Sequence, residues 1–143
     1  LHPGGKLGQT LLSVSEIMKT NKSLPVIKSG NIVGDAILEM SSKGFGCVGI
    51  ISTDNKKLLG IITDGDLRRN MTKGLLEKKV EQIMTVNPLT LKPETLVSEA
   101  LNLMNEKSIT NIFVTQKKKP VGIIHMHEIL RLSTWHIQNL LRL

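Results

Sequence analysis

The sequence predicts a mixed α/β (α+β) protein made of one strand, helix, strand, strand, helix unit used twice, and three matched blocks carry that prediction. Val14-Ser-Glu-Ile-Met18 recurs as Val80-Glu-Gln-Ile-Met84, Asp35-Ala-Ile-Leu-Glu-Met40 as Glu99-Ala-Leu-Asn-Leu-Met104, and Gly60-Ile-Ile62 as Gly122-Ile-Ile124. The offsets are 66, 64 and 62 residues, so two small length changes fall between the blocks, where loops belong. A unit of roughly sixty residues with one apolar helix face cannot bury that face alone, so the two copies are expected to close on each other.

In chain order, Leu1 to Lys6 belongs to neither copy and reads as a loop or the stub of a preceding domain. Ser15 is placed to cap a short helix through Met18, after which Pro25-Val-Ile27 runs extended to a turn at Ser29-Gly30-Asn31. Val33, Ala36, Ile37 and Met40 recur at three- and four-residue spacing, the core face of a helix ending near Gly44. Cys47 to Ser52 and Lys57 to Ile62 read as strands flanking a turn at Thr53-Asp54-Asn55-Lys56, and Asp66 to Asn70 begins another helix. Thr72 to Lys79, with Gly74, is a polar connector.

The second copy repeats the order. Leu89 to Leu91 is extended, Val97, Ala100, Leu101 and Met104 line a helix face, Ile112 to Thr115 and Pro120 to Ile124 are strands, and a helix starts at Glu128. Lys117-Lys118-Lys119 between those strands reads as a solvated hairpin turn. Beyond Arg131, Ser133 is a candidate cap and Ile137, Leu140 and Leu141 form an apolar stripe for packing or a subunit contact. The expected divisions are therefore 1–13, 14–71, 80–132 and 133–143.

Composition narrows the functional classes. With 143 residues, 40% of them hydrophobic, the chain suits one compact domain or two lobes sharing a core. Its longest apolar runs, such as Val48-Gly-Ile-Ile51 and Val121-Gly-Ile-Ile124, fall far short of the roughly 20 residues that span a bilayer. Leu1 to Gly8 lacks a basic stretch leading into an apolar one, so no secretory signal is expected. The single cysteine, Cys47, lies in an apolar strand and reads as a buried thiol in a reducing, cytoplasmic setting.

A formal charge of +7 favours anionic partners. Phe45, Phe113 and Trp135 are the only aromatics, too few to stack exposed bases, so a single-stranded nucleic-acid platform is not expected.

Thr63-Asp64-Gly65-Asp66 at the end of the last strand of the first copy is the candidate ligand motif. A carboxylate accepts both hydroxyls of a ribose diol, Thr63 can donate to a phosphate oxygen, and Arg68 and Arg69 supply charge-assisted bonds to phosphate or a sugar carboxylate. The same residue types are also common helix caps.

The paired Ile-Met blocks, the Gly-Ile-Ile strands and Thr63-Asp-Gly-Asp-Leu-Arg-Arg69 together resemble a tandem cystathionine-β-synthase (CBS) domain, the regulatory pair called a Bateman module, over residues 14 to about 132. The resemblance implies two βαββα repeats packed with pseudo-two-fold symmetry, a homodimer of pairs, and clefts that bind nucleotides. It implies that Thr63 and Asp66, with Asp64 beside them in the ligand motif, face Thr85, Leu89, Ile109, Thr110 and Asn111 of the other copy, with apolar side chains sandwiching a base while backbone groups and Asn111 read its edge. In the second copy His125 stands at the Thr63 position and Glu128 at the Asp66 position, with His127 between them. Residues alternating at a strand end point oppositely and no third ligand stands nearby, so metal is not expected there; a second or empty ligand site is.

Leu1-His-Pro-Gly-Gly-Lys-Leu-Gly8 before Val14, together with Gly122-Ile-Ile-His-Met-His-Glu128, resembles the C-terminal half of bacterial arabinose-5-phosphate isomerases. That family interconverts ribulose 5-phosphate and arabinose 5-phosphate on the way to Kdo of lipopolysaccharide, and His2 matches a histidine of its isomerase domain. The resemblance implies a regulatory fragment without catalysis of its own and without a cofactor. Its ligand would be CMP-Kdo or a CMP- or AMP-type nucleotide, with no nucleic acid or membrane partner and a higher homo-oligomer for the parent enzyme. A ligand-free assembly module and a nucleic-acid binder are the rival classes.

Overall fold

The structure, a computed structural model, describes residues 12–132. The expectations for His2, for the stub before Leu12 and for 133–143 lie outside the described residues.

Among the described residues ten strands and helices follow one another: β1 Val26–Lys28, α1 Val33–Lys43, β2 Cys47–Ile51, β3 Leu58–Thr63, α2 Asp64–Arg69, β4 Thr85–Val86, β5 Thr90–Leu91, α3 Val97–Lys107, β6 Asn111–Gln116 and β7 Lys119–His125, followed by a helical run over 126–132. Short 3-10 turns at Val14–Glu16 and Val80–Gln82 carry the two Ile-Met blocks. The mixed α/β class read from the sequence is thus the observed one, and it forms two sheets of order β1-β2-β3-β4 and β5-β6-β7.

The predicted helix faces turn to the core, with Ile37 and Leu101 only partly buried at their margins. In α1, Val33, Ala36 and Met40 are buried, Asp35 sits in the first turn and Lys43 in the last, and Gly44 ends the helix at φ 74°, its N–H donating to Met40 O. In α3 the corresponding residues are Val97, Ala100 and Met104, and Ser108 takes the left-handed cap at φ 55°. β2 is buried along its whole length, as its unbroken Cys-Val-Gly-Ile-Ile run demands, and pairs parallel with β1 and antiparallel with β3.

Several boundaries differ from those expected. α2 starts at Asp64 rather than Asp66, because Thr63 caps it. The last helix begins at 126 rather than Glu128. The connector holds a 3-10 turn, Leu75–Glu77, whose Leu75 is buried against the α1 core, and Thr85–Val86 is a strand that the short polar context conceals.

The compact units cut across the sequence repeats. Among the described residues, one unit takes 12–20 with Thr90–Gln116 and 121–132; the other is Asn21–Leu89 with Lys117–Pro120. In the first, Val14 packs with Val97, Met104, Ile112 and Ile124, and Lys19 bridges antiparallel to Ile123. In the second, Val80 and Ile83 pack with Val33, Ile50 and Ile62, and β4 pairs antiparallel with β3 through Thr85 and Ile61. Each Ile-Met block is therefore built into the unit that holds the Gly-Ile-Ile strand of the other repeat. Burying one such Ile or Val contributes about 1.5–3 kcal/mol, so the exchanged turns are anchored by core rather than by surface contacts.

Both glycines of those strands are required by this packing. A Cβ on Gly60 would stand 2.7 Å from Met84 Sδ and from Thr85 O, and a Cβ on Gly122 would stand 2.6 Å from Met18 Cγ.

Candidate functional site

The site is built where β3 ends. Thr63 is extended (φ −115°, ψ 168°), its Oγ1 accepts the N–H of Asp66 at 3.2 Å, and Asp66 Oδ2 accepts the N–H of Thr63 at 2.9 Å, a reciprocal capping box. The chain turns sharply here because Asp64 N–H donates to Gly46 O beside the start of β2, and Asn70 closes the short helix on Asp66 O with both its backbone and side-chain N–H.

Asp66 is buried, at 4% exposure, and its carboxylate is fully used. Oδ2 takes the Thr63 N–H and, at 3.2 Å, the Thr63 hydroxyl; Oδ1 takes Arg69 Nη2 at 2.7 Å and the Thr85 hydroxyl at 3.1 Å. A buried carboxylate with fewer donors would be strongly disfavoured. Arg69 reaches it across Gly65, where an added Cβ would stand 3.1 Å from Arg69 Nη1. The Arg69 side chain nonetheless remains 69% exposed, so one end of this ion pair faces water while the other is enclosed.

The predicted residues divide as follows. Thr63, Asp66, Arg69 and Thr85 are joined by hydrogen bonds within one unit. Asp64 and Arg68 are exposed, and Arg68 forms no ion pair among the described residues. Leu89 belongs to the same unit and is 43% exposed, as is Val86 at 59%, a residue the sequence reading passed over. Ile109, Thr110 and Asn111 belong to the other unit, where Thr110 O accepts the N–H of Met126 and Asn111 Oδ1 is buried without a hydrogen-bond partner among the described residues. Cys47 pairs with Thr63 across the sheet, buried as expected; desolvation, and secondarily the charge of Asp64, push its thiol up to about 12, so it is no nucleophile.

The second copy holds a related arrangement. Arg131 Nη2 meets Glu128 Oε1 at 2.7 Å, three residues apart like Arg69 and Asp66, and Lys19 occupies the strand position that Thr85 holds in the other unit. Both Arg131 and Lys19 were missed, although an acid followed by Arg three positions on is visible in both copies. The expectation that His125 and His127 point oppositely is overturned. The strand ends at His125, so His127 lies in the following helix; the rings stack at 4.8 Å with 19° between planes, and His127 N–H donates to His125 Nδ1 at 3.0 Å. Burial first, and the charge of His127 second, hold His125 below its ordinary 6.5 against the opposing pull of Glu128. Among the described residues no group of three or more His, Cys, Asp or Glu side chains is placed to hold a metal ion, and no helix is long and apolar enough to cross a membrane.

Comparison with known proteins follows the same two segments. The CBS domain family matches residues 14–73 and 80–134. The arabinose 5-phosphate isomerase KdsD of Escherichia coli K12 is 39% identical over 133 residues, 91% of this chain and 40% of that protein. The uncharacterized protein RP505 of Rickettsia prowazekii is 38% identical over 92% of this chain and 41% of its own length. This chain thus spans about two fifths of the curated relatives it matches. Among solved structures, CBSX2 of Arabidopsis thaliana in its complex with AMP is 26% identical with a TM-score of 0.74, covering 88% of this chain and 98% of that one.

Proposed function

This chain belongs to the CBS domain family, and we propose that it is the nucleotide-sensing regulatory pair of an arabinose-5-phosphate isomerase, binding CMP-Kdo or another nucleotide and carrying no catalysis itself. The observation that carries the reading is the Thr63–Asp66 turn with Thr85 above it. Asp66 Oδ1 now receives one hydroxyl and one guanidinium donor, the same number a ribose diol offers. A nucleotide would exchange its two hydroxyls for Thr85 and Arg69 at that oxygen, while Oδ2 keeps the helix cap. Freed Arg69 would then turn its charge to the phosphate. No unsatisfied buried carboxylate arises at any stage, which keeps the exchange inexpensive.

The 39% identity to KdsD over 91% of the chain supports the isomerase parent, and AMP in CBSX2 supports a nucleotide as ligand class. Regulation has a simple form: a ligand that prefers one arrangement of the pair shifts the attached enzyme by its differential affinity. A homodimer of pairs in the cytoplasm, within a larger homo-oligomer of the whole enzyme, completes the proposal.

The saturated carboxylate also suits a purely structural capping box, the reading of a ligand-free assembly module. Thermal shift against CMP-Kdo, CMP and AMP separates the two. A ligand at 100 times its dissociation constant adds about 2.7 kcal/mol, and Asp66→Ala is expected to abolish the rise. No shift with any of the three would leave the assembly reading in place.

A further inference from the structure

We propose that the two hairpin tips carrying Lys56, Lys57, Lys117, Lys118 and Lys119 form a docking patch for an acidic segment of a protein partner. The tips come from different sequence repeats, yet they are joined: Leu58 N–H, next to Lys57, donates to Lys118 O at 2.9 Å, and Lys117–Pro120 clusters with the unit that contains Lys56 and Lys57. All five lysines are exposed and none forms an ion pair among the described residues. The one carboxylate in the tips, Asp54, is engaged by the Ser52 hydroxyl and the Asn55 N–H, leaving five cations against one anion.

Backbone conformation argues that three of these lysines, Lys56, Lys117 and Lys118, are not there to make the turns. Lys117 and Lys118 are the two central residues between β6 and β7, at φ 53° and 66°, and Lys56 is at φ 62°. A two-residue turn left-handed at both positions is the place for Asn-Gly, and lysine pays a steric penalty there. Among the described residues, the other left-handed ones without that glycine freedom are two asparagines and a serine at a helix end, with no further lysine. Strained residues that gather in one exposed place point to a role outside folding.

The chemistry of the patch selects the occupant. Lysine ammonium groups are compact point charges that suit flexible carboxylates, whereas duplex and phosphate recognition favours the arginine fork, and none of the five is arginine. Neither tip has an aromatic residue to stack on a base or wedge into lipid, and charge without an apolar anchor holds a membrane only weakly.

The test uses the 143-residue chain with a fluorescent oligo-glutamate peptide, anionic phosphatidylglycerol vesicles and short duplex DNA as probes. Peptide binding that weakens with salt is expected. The triple variant Lys57→Gln, Lys117→Asn, Lys118→Gly should bind at least about tenfold more weakly while its melting temperature stays level or rises, since Asn-Gly relieves the turn. A variant of equal charge, Lys22→Gln, Lys73→Gln, Lys107→Gln, should keep most of the affinity. Equal loss in the two variants would reduce the effect to net charge and overturn the patch. Absence of peptide binding at low salt, or tighter binding of vesicles or DNA through the same lysines, would overturn the assigned partner.

Discussion

Met18 lies where a side chain on Gly122 would have to stand, its Cγ 2.6 Å from that position. The pair unites the first Ile-Met block with the second Gly-Ile-Ile strand, and Met84 over Gly60 is its counterpart. Gly122→Ala is expected to destabilise the chain by about 1–3 kcal/mol through overpacking. Met18→Ala in the same chain should recover part of that loss, a coupling of roughly 0.5–3 kcal/mol in a double-mutant cycle. Rescue of Gly60→Ala by Met84→Ala should be poorer, because backbone Thr85 O also stands 2.7 Å from the added atom. Additive denaturant-unfolding energies at Met18 and Gly122 would refute the contact.

Arg69 and Thr85 share one oxygen of Asp66. If Arg69 moves to the phosphate of a bound nucleotide, Arg69→Ala should weaken a nucleoside monophosphate by about 1.5–3 kcal/mol, the worth of a hydrogen bond to a charged group, and leave the matching nucleoside nearly unaffected. Calorimetric titration of both ligands into both proteins reads this directly; equal losses would mean that Arg69 serves only to hold Asp66.

Neutral His125 accepts the N–H of His127 at Nδ1, and a protonated ring cannot. Its folded pKa lies below the ordinary 6.5, so near that pH the unfolded chain takes up a proton first. The contribution is therefore present above pH 6.5 and lost as pH falls through the folded value. Melting temperatures between pH 8 and 5 should decline less in His125→Asn, which keeps an acceptor without titrating. An identical decline in both proteins would assign the pH dependence to other groups.

Cys47 is 2% exposed and its thiol is raised to about 12. Native protein at pH 8 should resist alkylation by iodoacetamide, and the same thiol should react once the chain is unfolded by urea. Mass spectrometry of the alkylated chain measures both; rapid native labelling would show that β2 opens at its start.

The helix faces and the central strands were legible because each is written in a local period: Val33, Ala36 and Met40 in one helix, Val97, Ala100 and Met104 in the other, and the apolar run from Cys47 to Ile51. Thr85–Val86 was not legible, since two residues are too few for a period and their strand exists only by pairing with β3. His125 and His127 were misread for a related reason: alternation holds only while the strand lasts, and it stops at His125.

Duplication, helix faces, a cysteine buried in a strand and the Thr63–Asp66 turn followed from the sequence alone, because repeats, periods and caps depend on residues near one another in the chain. Tertiary structure alone decided that Met18 covers Gly122 and that Met84 covers Gly60, and it turned the opposition of Thr85 and Asp66, which the family resemblance implied, into a hydroxyl-to-carboxylate hydrogen bond. Those contacts form when the segment after each Ile-Met block satisfies the open backbone edge of a strand from the other repeat, and edge pairing leaves no periodic mark on the residues that make it.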